Sequence, residues 1–280
     1  MDPILKLQNG SDVRGVAVEG VADEPVTLTP EYANRIVQAF VLWLSKKSGK
    51  KASELKIAVG HDSRISAPML KQQALMAIVA QGATAVDCSM ATTPAMFMSL
   101  VYEETKYDGS MMITASHLPF NRNGIKFFDG NGYKLPDAME DEIEALIRNN
   151  MPGIKFPIGP GVGKIKYRTD AREEYINHAM RAVNVDLTGL KIVVDCAEGA
   201  SFYTSVECLK ELGGSVVAIH NNPDGTNINA NCGSTHMEEL QARVSMKRPM
   251  SVWPSMETQT DCWLWMRTVI SSMVTRSWQS

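Results

Sequence analysis

The sequence predicts an α/β protein built as two consecutive layered units, the second truncated, followed by an aberrant tail. Three observations predict this. Short apolar runs alternate with stretches of helical periodicity from about Thr29 to Val244. Glycine and proline punctuate the junctions between them. After about Val244 the alternation ends, and four of the five tryptophans crowd between Trp253 and Trp278 with no helical or strand period around them.

Composition sets the bounds. The chain has 280 residues, 44% hydrophobic and 21% charged, enough for about two domains with real cores. A net charge of -3 and no basic stripe argue against a nucleic-acid partner, which needs clustered Lys and Arg. No apolar run has the length of a membrane span, and Met1-Asp2-Pro3 opens no charged-then-apolar leader, so a cytoplasmic setting without a membrane partner is expected. Cys88, Cys196, Cys208, Cys232 and Cys262 show no C-x-x-C pair and no companion His at zinc-finger spacing. Reduced, mostly buried thiols are expected, and any metal should be held by oxygen.

Taken in order, Ile4 to Leu7 reads as a short strand running into Gly10-Ser11-Asp12-Val13-Arg14-Gly15, a glycine-bracketed loop with Arg14 at its tip. Thr29-Pro30-Glu31 supplies a hydroxyl N-cap and a first-turn proline, Ala33, Ile36, Val37, Phe40, Val41 and Leu44 share one face, and Gly49 stops the helix. Lys56 to Val59 is a strand delivering Gly60-His61-Asp62-Ser63-Arg64, and a helix follows from about Pro68 to Gln81. Thr84 to Cys88 is a strand and Pro94 to Glu103 a short helix. Met111-Met112-Ile113 then runs as a buried strand into the tight loop Thr114-Ala115-Ser116-His117-Leu118-Pro119, and Asn123 to Phe128 returns as its partner. Pro136 opens an acidic helix through Asn149, and Met151-Pro152-Gly153 marks a linker, closing the first unit at 1–155.

Gly159-Pro160-Gly161-Val162-Gly163-Lys164 resembles a phosphate loop but lacks the Ser or Thr after its lysine and opens no helix, so a hinge or hairpin is expected. The second unit, 156–244, repeats the same grammar: a helix from about Asp170 to Val183, the strand Leu190 to Asp195, a helix to Leu212, the strand Ser215 to Ile219, and a helix from near Ser234 carrying Met237, Leu240 and Val244. Asp195, at a strand end, either caps the next turn or serves as a ligand.

The chemistry centres on Ser116. A serine hydroxyl needs a base, a cation or a metal ion to become a nucleophile, and His117 and Lys126 are its nearest candidates in sequence. No Gly-x-Ser-x-Gly elbow surrounds it, which argues against a serine hydrolase. Thr-Ala-Ser-His-x-Pro followed by Asn-Gly-x-Lys resembles the active-serine loop of the α-D-phosphohexomutases, the phosphoglucomutase and phosphomannomutase family, in which that serine is phosphorylated. Leu118 departs from the Asn of many members, so its amide contact would pass to Asn121 or Asn123. The resemblance covers the chain up to about Val244 and implies a three-layer α/β fold of the phosphohexomutase type.

It further implies transfer of a phosphoryl group between the 1- and 6-positions of a hexose phosphate, with a hexose 1,6-bisphosphate as intermediate and activator and magnesium as cofactor. Ser116, His117, Lys126 and Arg14 would be the catalytic set, and Thr114, Asn123, Asp62 and Arg64 would face the substrate. Phosphoserine brings about -1.5 to -2 charges, which Arg14, His117 and magnesium would hold. Bland alternatives stand beside each role. Arg14 is otherwise a solvated turn residue, Asp62 and Arg64 a local pair holding their turn, His117 a loop hydrogen bond, and Lys126 a partner for a carboxylate.

The family's acidic metal loop, Asp-Gly-Asp-x-Asp-Arg, is absent from the 280 residues, leaving phosphorylated Ser116 as the one metal contact. Codon arithmetic suggests where it went. Reading the third base of each codon as a new first base, the pair Trp253-Pro254 forces Ala, Met256-Glu257 forces Gly, and the whole stretch permits Ala-Phe-Asp-Gly-Asp-Ala-Asp-Arg-Leu-Leu. Residues 245–280 are therefore expected to be a shifted frame that packs poorly and finds no partner strand. A non-catalytic fragment, or a sugar-phosphate-binding remnant of such an enzyme, is the alternative function.

Overall fold

A computed structural model describes residues 3–9, 12–20, 24–101, 106–183, 185–246 and 251–254. The first seven strands are β1 (Gln8–Asn9), β2 (Asp12–Val16), β3 (Lys56–His61), β4 (Thr84–Met90), β5 (Gly109–Ile113), β6 (Arg122–Asp129) and β7 (Lys164–Tyr167), and they form one sheet in the order β1-β2-β6-β5-β3-β4-β7. The β1 to β5 side is antiparallel and the β5 to β7 side parallel. Helices α1 (Pro30–Ser48), α2 (Ala67–Ala80) and α4 (Asp137–Arg148) cover one face, over a core that includes Phe40, Leu70, Met111 and Phe127. Helix α3 (Thr93–Val101) covers the other, where Met96 and Leu100 pack on Met112 and Phe128.

Local chemistry accounts for most boundaries. Thr29 accepts from the Tyr32 N–H at 3.2 Å, Pro30 occupies the first turn, and Gly49 sits left-handed at φ 71°. Two expectations near the N-terminus are corrected. Pro3–Leu7 is a 3-10 helix rather than a strand: its three-residue period puts Ile4 and Leu7 on one buried side. Arg14 lies inside β2, paired with Gly124 of β6, rather than at a loop tip. Gly10 and Ser11 of that expected loop, and 102–103 at the end of the expected helix after Pro94, lie outside the described residues.

The second unit has three parallel strands in the order β10-β8-β9, with β8 at Lys191–Asp195, β9 at Ser215–Ile219 and β10 at Ser251–Pro254. Helix α6 (Ser201–Glu211) packs on the face of Ile192 and Val194, with α5 (Ala171–Ala182) against it, and α7 (Glu238–Met246) packs on the face of Val193 through Leu240. This is the expected three-layer arrangement.

Three findings bear on the expected divisions. Strand β7, beyond residue 155, pairs with β4 and so extends the first sheet. Lys164 begins that strand after a single 3-10 turn at Gly159–Gly161, in keeping with the rejection of a phosphate loop. The expectation that nothing after residue 244 finds a partner strand is corrected, because Ser251–Pro254 runs parallel to Ile192–Asp195. The rest of the expected tail, 247–250 and 255–280, lies outside the described residues.

Candidate active site

The carboxyl ends of β3 and β5 meet where the Asp62 N–H donates to the Ile113 carbonyl at 3.0 Å, and this places the loops after both strands side by side. Ser116 follows β5 by three residues, in the left-handed region at φ 59°, a conformation costly for a residue with a Cβ. Its N–H donates to Thr114 Oγ1 at 3.1 Å, so Thr114 shapes the turn. Its Oγ is buried without a hydrogen-bond partner among the described residues, although a buried hydroxyl is normally satisfied.

The loop backbone is gripped by two side chains. Arg64 Nη2 donates to the carbonyls of Ser116 at 2.8 Å and Leu118 at 2.5 Å. Asn229 Nδ2, from the second unit, donates to the same two carbonyls at 3.0 and 3.1 Å. Arg64 is fully buried, its Nη1 ion-paired with Asp62 Oδ2, while Asp62 Oδ1 accepts the Arg64 N–H at 3.0 Å. The local pair expected of Asp62 and Arg64 therefore exists, and it also aims the guanidinium at the serine loop. Asn123 is buried, donates to Ser66 Oγ at 2.8 Å and accepts the Gly124 N–H, and Asn121 donates to Glu24. The amide that reaches the Leu118 backbone is Asn229, which no reading of the first unit could find.

A charge cluster occupies the adjoining strands. Asp12 Oδ2 accepts from Lys126 Nζ at 2.7 Å and Arg14 Nη2 at 2.8 Å, and Lys134 Nζ lies 2.7 Å from Oδ1. Burial would raise the Asp12 carboxyl, but Lys126, Lys134 and Arg14 together hold it below its ordinary value. Lys126 moves down: burial dominates, Asp12 opposes, and Lys134 and Arg14 add repulsion. A lysine with a lowered pKa suits proton transfer. Gly124 lies between cluster and loop, where a Cβ would strike the Val13 carbonyl and come within 2.9 Å of the Thr114 carbonyl. Ser116 thus adjoins Arg64 and Thr114, whereas Arg14 and Lys126 share Asp12; His117 is exposed.

Asp195, His220 and Cys232 bring ligand atoms within 4.8 Å of one another in the second unit. Their hydrogen bonding is already committed: Asp195 accepts from the Ala197 and Gly233 N–H groups at 2.9 and 2.8 Å, and His220 lies between Asp195 and Glu239 at 3.0 and 3.1 Å. Asp195 is the turn cap that its position at a strand end suggested. Sulfur and imidazole are also poor donors for magnesium. Asp62, on the loop next to that of Ser116, is committed to Arg64, and among the described residues no cluster of carboxylates able to hold that ion is found beside Ser116. Cys88, Cys196, Cys208 and Cys232 are buried thiols, and burial pushes Cys88 and Cys196 up to about 12. Among the described residues no helix is long and apolar enough to cross a membrane.

Residues 5–153 match the family model for phosphoglucomutase/phosphomannomutase, alpha/beta/alpha domain I. The chain is 43% identical over 230 residues to phosphoglucosamine mutase of Clostridium acetobutylicum, covering 82% of this chain and 50% of that one. With phosphoglucosamine mutase of Clostridium novyi it shares 44% over 223 residues, covering 80% and 48%. The chain thus spans about half the length of the curated relatives it matches. Among solved structures, a phosphoglucomutase/phosphomannomutase family protein from Burkholderia thailandensis superposes with TM-score 0.66 at 23% identity, over 85% of this chain and 48% of that chain. Paramecium pp63/parafusin superposes in its open form with TM-score 0.54 at 17% identity, over 79% and 46%. These two show a shared fold.

Proposed function

The chain belongs to the phosphoglucomutase/phosphomannomutase family, and from that premise we propose that it is a phosphohexomutase chain in which Ser116 carries the phosphoryl group. One observation carries the reading: a buried serine hydroxyl without a partner among the described residues, at a left-handed turn whose backbone is held from both units. In the proposed step Oγ bonds to the phosphorus of a hexose bisphosphate as the bond from phosphorus to the sugar oxygen breaks. The electron pair stays with the sugar oxygen, and the serine proton ends there. Lys126, with its lowered pKa, is the proposed relay, and exposed His117 and half-buried Arg14 are proposed to meet the phosphate charge. Ser116 is buried, so substrate reaches Oγ only after the groups around it move.

Glucosamine phosphate is the hexose to test first, because the curated relatives named above are phosphoglucosamine mutases. Magnesium is part of the family expectation and supplies charge neutralisation when bound, but the residues described here do not form its site and no step is routed through it. A cytoplasmic setting belongs to the same proposal.

Incubation with a hexose 1,6-bisphosphate, followed by intact-mass measurement and peptide mapping, tests the assignment. One phosphoryl group on Ser116, lost in Ser116→Ala, is expected; label elsewhere with Ser116 unmodified would sink it.

A further inference from the structure

Both carbonyls that flank the serine loop's apex are shared by two donors from different units, and the two donors are not equivalent. Arg64 is fixed within the first unit by Asp62. Asn229 comes from the second unit, where it is itself left-handed at φ 58° and donates its N–H to the Ala197 carbonyl at 3.0 Å. The Ala197 N–H in turn donates to Asp195 Oδ1, at the end of β8, and Asp195 Oδ2 accepts the Gly233 N–H. A continuous run of short contacts therefore leads from the core of the second sheet, through one amide, to the backbone of Ser116.

We infer that Asn229 is a positioning residue for the phosphoryl-carrying serine: the second unit, through this amide, sets the orientation of the loop that presents Oγ. The inference rests on the reading of Ser116 as the carrier. A strained left-handed serine persists only where its surroundings over-determine it, and two donors on each of two carbonyls supply that. Two other hydrogen bonds across the boundary act elsewhere. Ser63 Oγ donates to the Glu198 carbonyl at 2.6 Å, and the Ile65 N–H to the Gly225 carbonyl at 2.8 Å, neither touching the serine loop. Ser63→Ala therefore weakens the contact between units without releasing the loop, and separates positioning from adhesion.

The experiment compares the 280-residue chain with Asn229→Ala, Asn229→Gln and Ser63→Ala. Amide hydrogen exchange is followed in the peptide spanning 114–120, and phosphoryl uptake at Ser116 is followed against hexose 1,6-bisphosphate concentration. Asn229→Ala should speed exchange in that peptide about 10-fold and slow saturating uptake by a similar factor, with the half-saturating concentration unchanged. Asn229→Gln, which keeps an amide donor, should recover part of both, and Ser63→Ala should change neither. Exchange in Asn229→Ala no faster than in Ser63→Ala, or uptake unchanged or faster, overturns the inference. If no form takes up phosphate, the reading of Ser116 as carrier falls, and the inference falls with it.

Discussion

Glu140 offers a test of the structure that does not depend on activity. It lies in the first turn of α4, is 8% exposed, and borders a cavity of about 40 Å³ lined by Ile4, Val13, Ile36, Phe127 and Ile143. Burial pushes its carboxyl from 4.5 up to about 7; Lys134 pulls the other way, and Asp12, Asp137 and Glu144 reinforce the rise. Because the folded pKa lies above the unfolded one, folding takes up a proton between those values. Stability from this group is complete below pH 4.5, falls as pH rises, and is lost above about 7. At about 1.36 kcal/mol per unit, that interval amounts to about 3 kcal/mol. Favourable interaction of a carboxylate with a helix N-terminus offsets roughly 0.3–1 kcal/mol of the gain from removing the charge. Glu140→Gln should therefore stabilise the chain by about 2 kcal/mol at pH 8 and by only a few tenths at pH 4.5. Urea unfolding of both proteins across that range measures the difference. A stability gap that does not change with pH would refute the account of a buried, proton-linked carboxyl.

Other consequences are equally direct. Asp12→Asn leaves Lys126, Arg14 and Lys134 without their shared anion, and should cost about 3 kcal/mol in chemical denaturation. Gly124→Ala drives a Cβ into the Val13 carbonyl; about 2 kcal/mol lost and a disturbed serine loop by NMR are expected, whereas an unchanged melting curve would contradict the close approach. The 280-residue chain should show little magnesium-dependent conversion of hexose 1-phosphate to 6-phosphate in a coupled assay, because it carries no acidic metal loop. Sequencing the transcript should reveal a one-base or two-base discrepancy near the codons for Val244 and Ser245. An uninterrupted frame, with no acidic loop encoded downstream in any frame, would mean that the change of character after residue 244 has another origin.

What could be read in the sequence was what local chemistry decides. Thr29, Pro30 and Gly49 bound their helix by capping, and the small, hydroxylated run after Ile113 marks a strand ending in a tight turn. Strand β7 escaped because its residues are mostly exposed and carry no apolar alternation, so its place is set by backbone pairing with β4 alone. The strand around Arg14 was hidden by flanking glycines that suggested a loop. Asn229 was out of reach for a different reason: its partner lies 113 residues earlier, and nothing in the cluster Asn221-Asn222-Pro223-Asp224-Gly225 says which loop it faces. Only the packing of one unit on the other makes it part of the site.

The pairing of β10 with β8 bears on solubility. With β9 on one side and β10 on the other, β8 is an interior strand, and its Ile192, Val193 and Val194 are almost wholly buried. A chain ending at Val244 would turn that strand into a bare edge, its N–H and C=O groups open along one side of an apolar core, the arrangement that recruits another molecule's strand. Ser251–Pro254 therefore acts as a cover, whatever residues compose it. Pro254, the last position of the strand, has no N–H to offer and suits its end. Shortened forms of this protein would be expected to self-associate before they lose their helices.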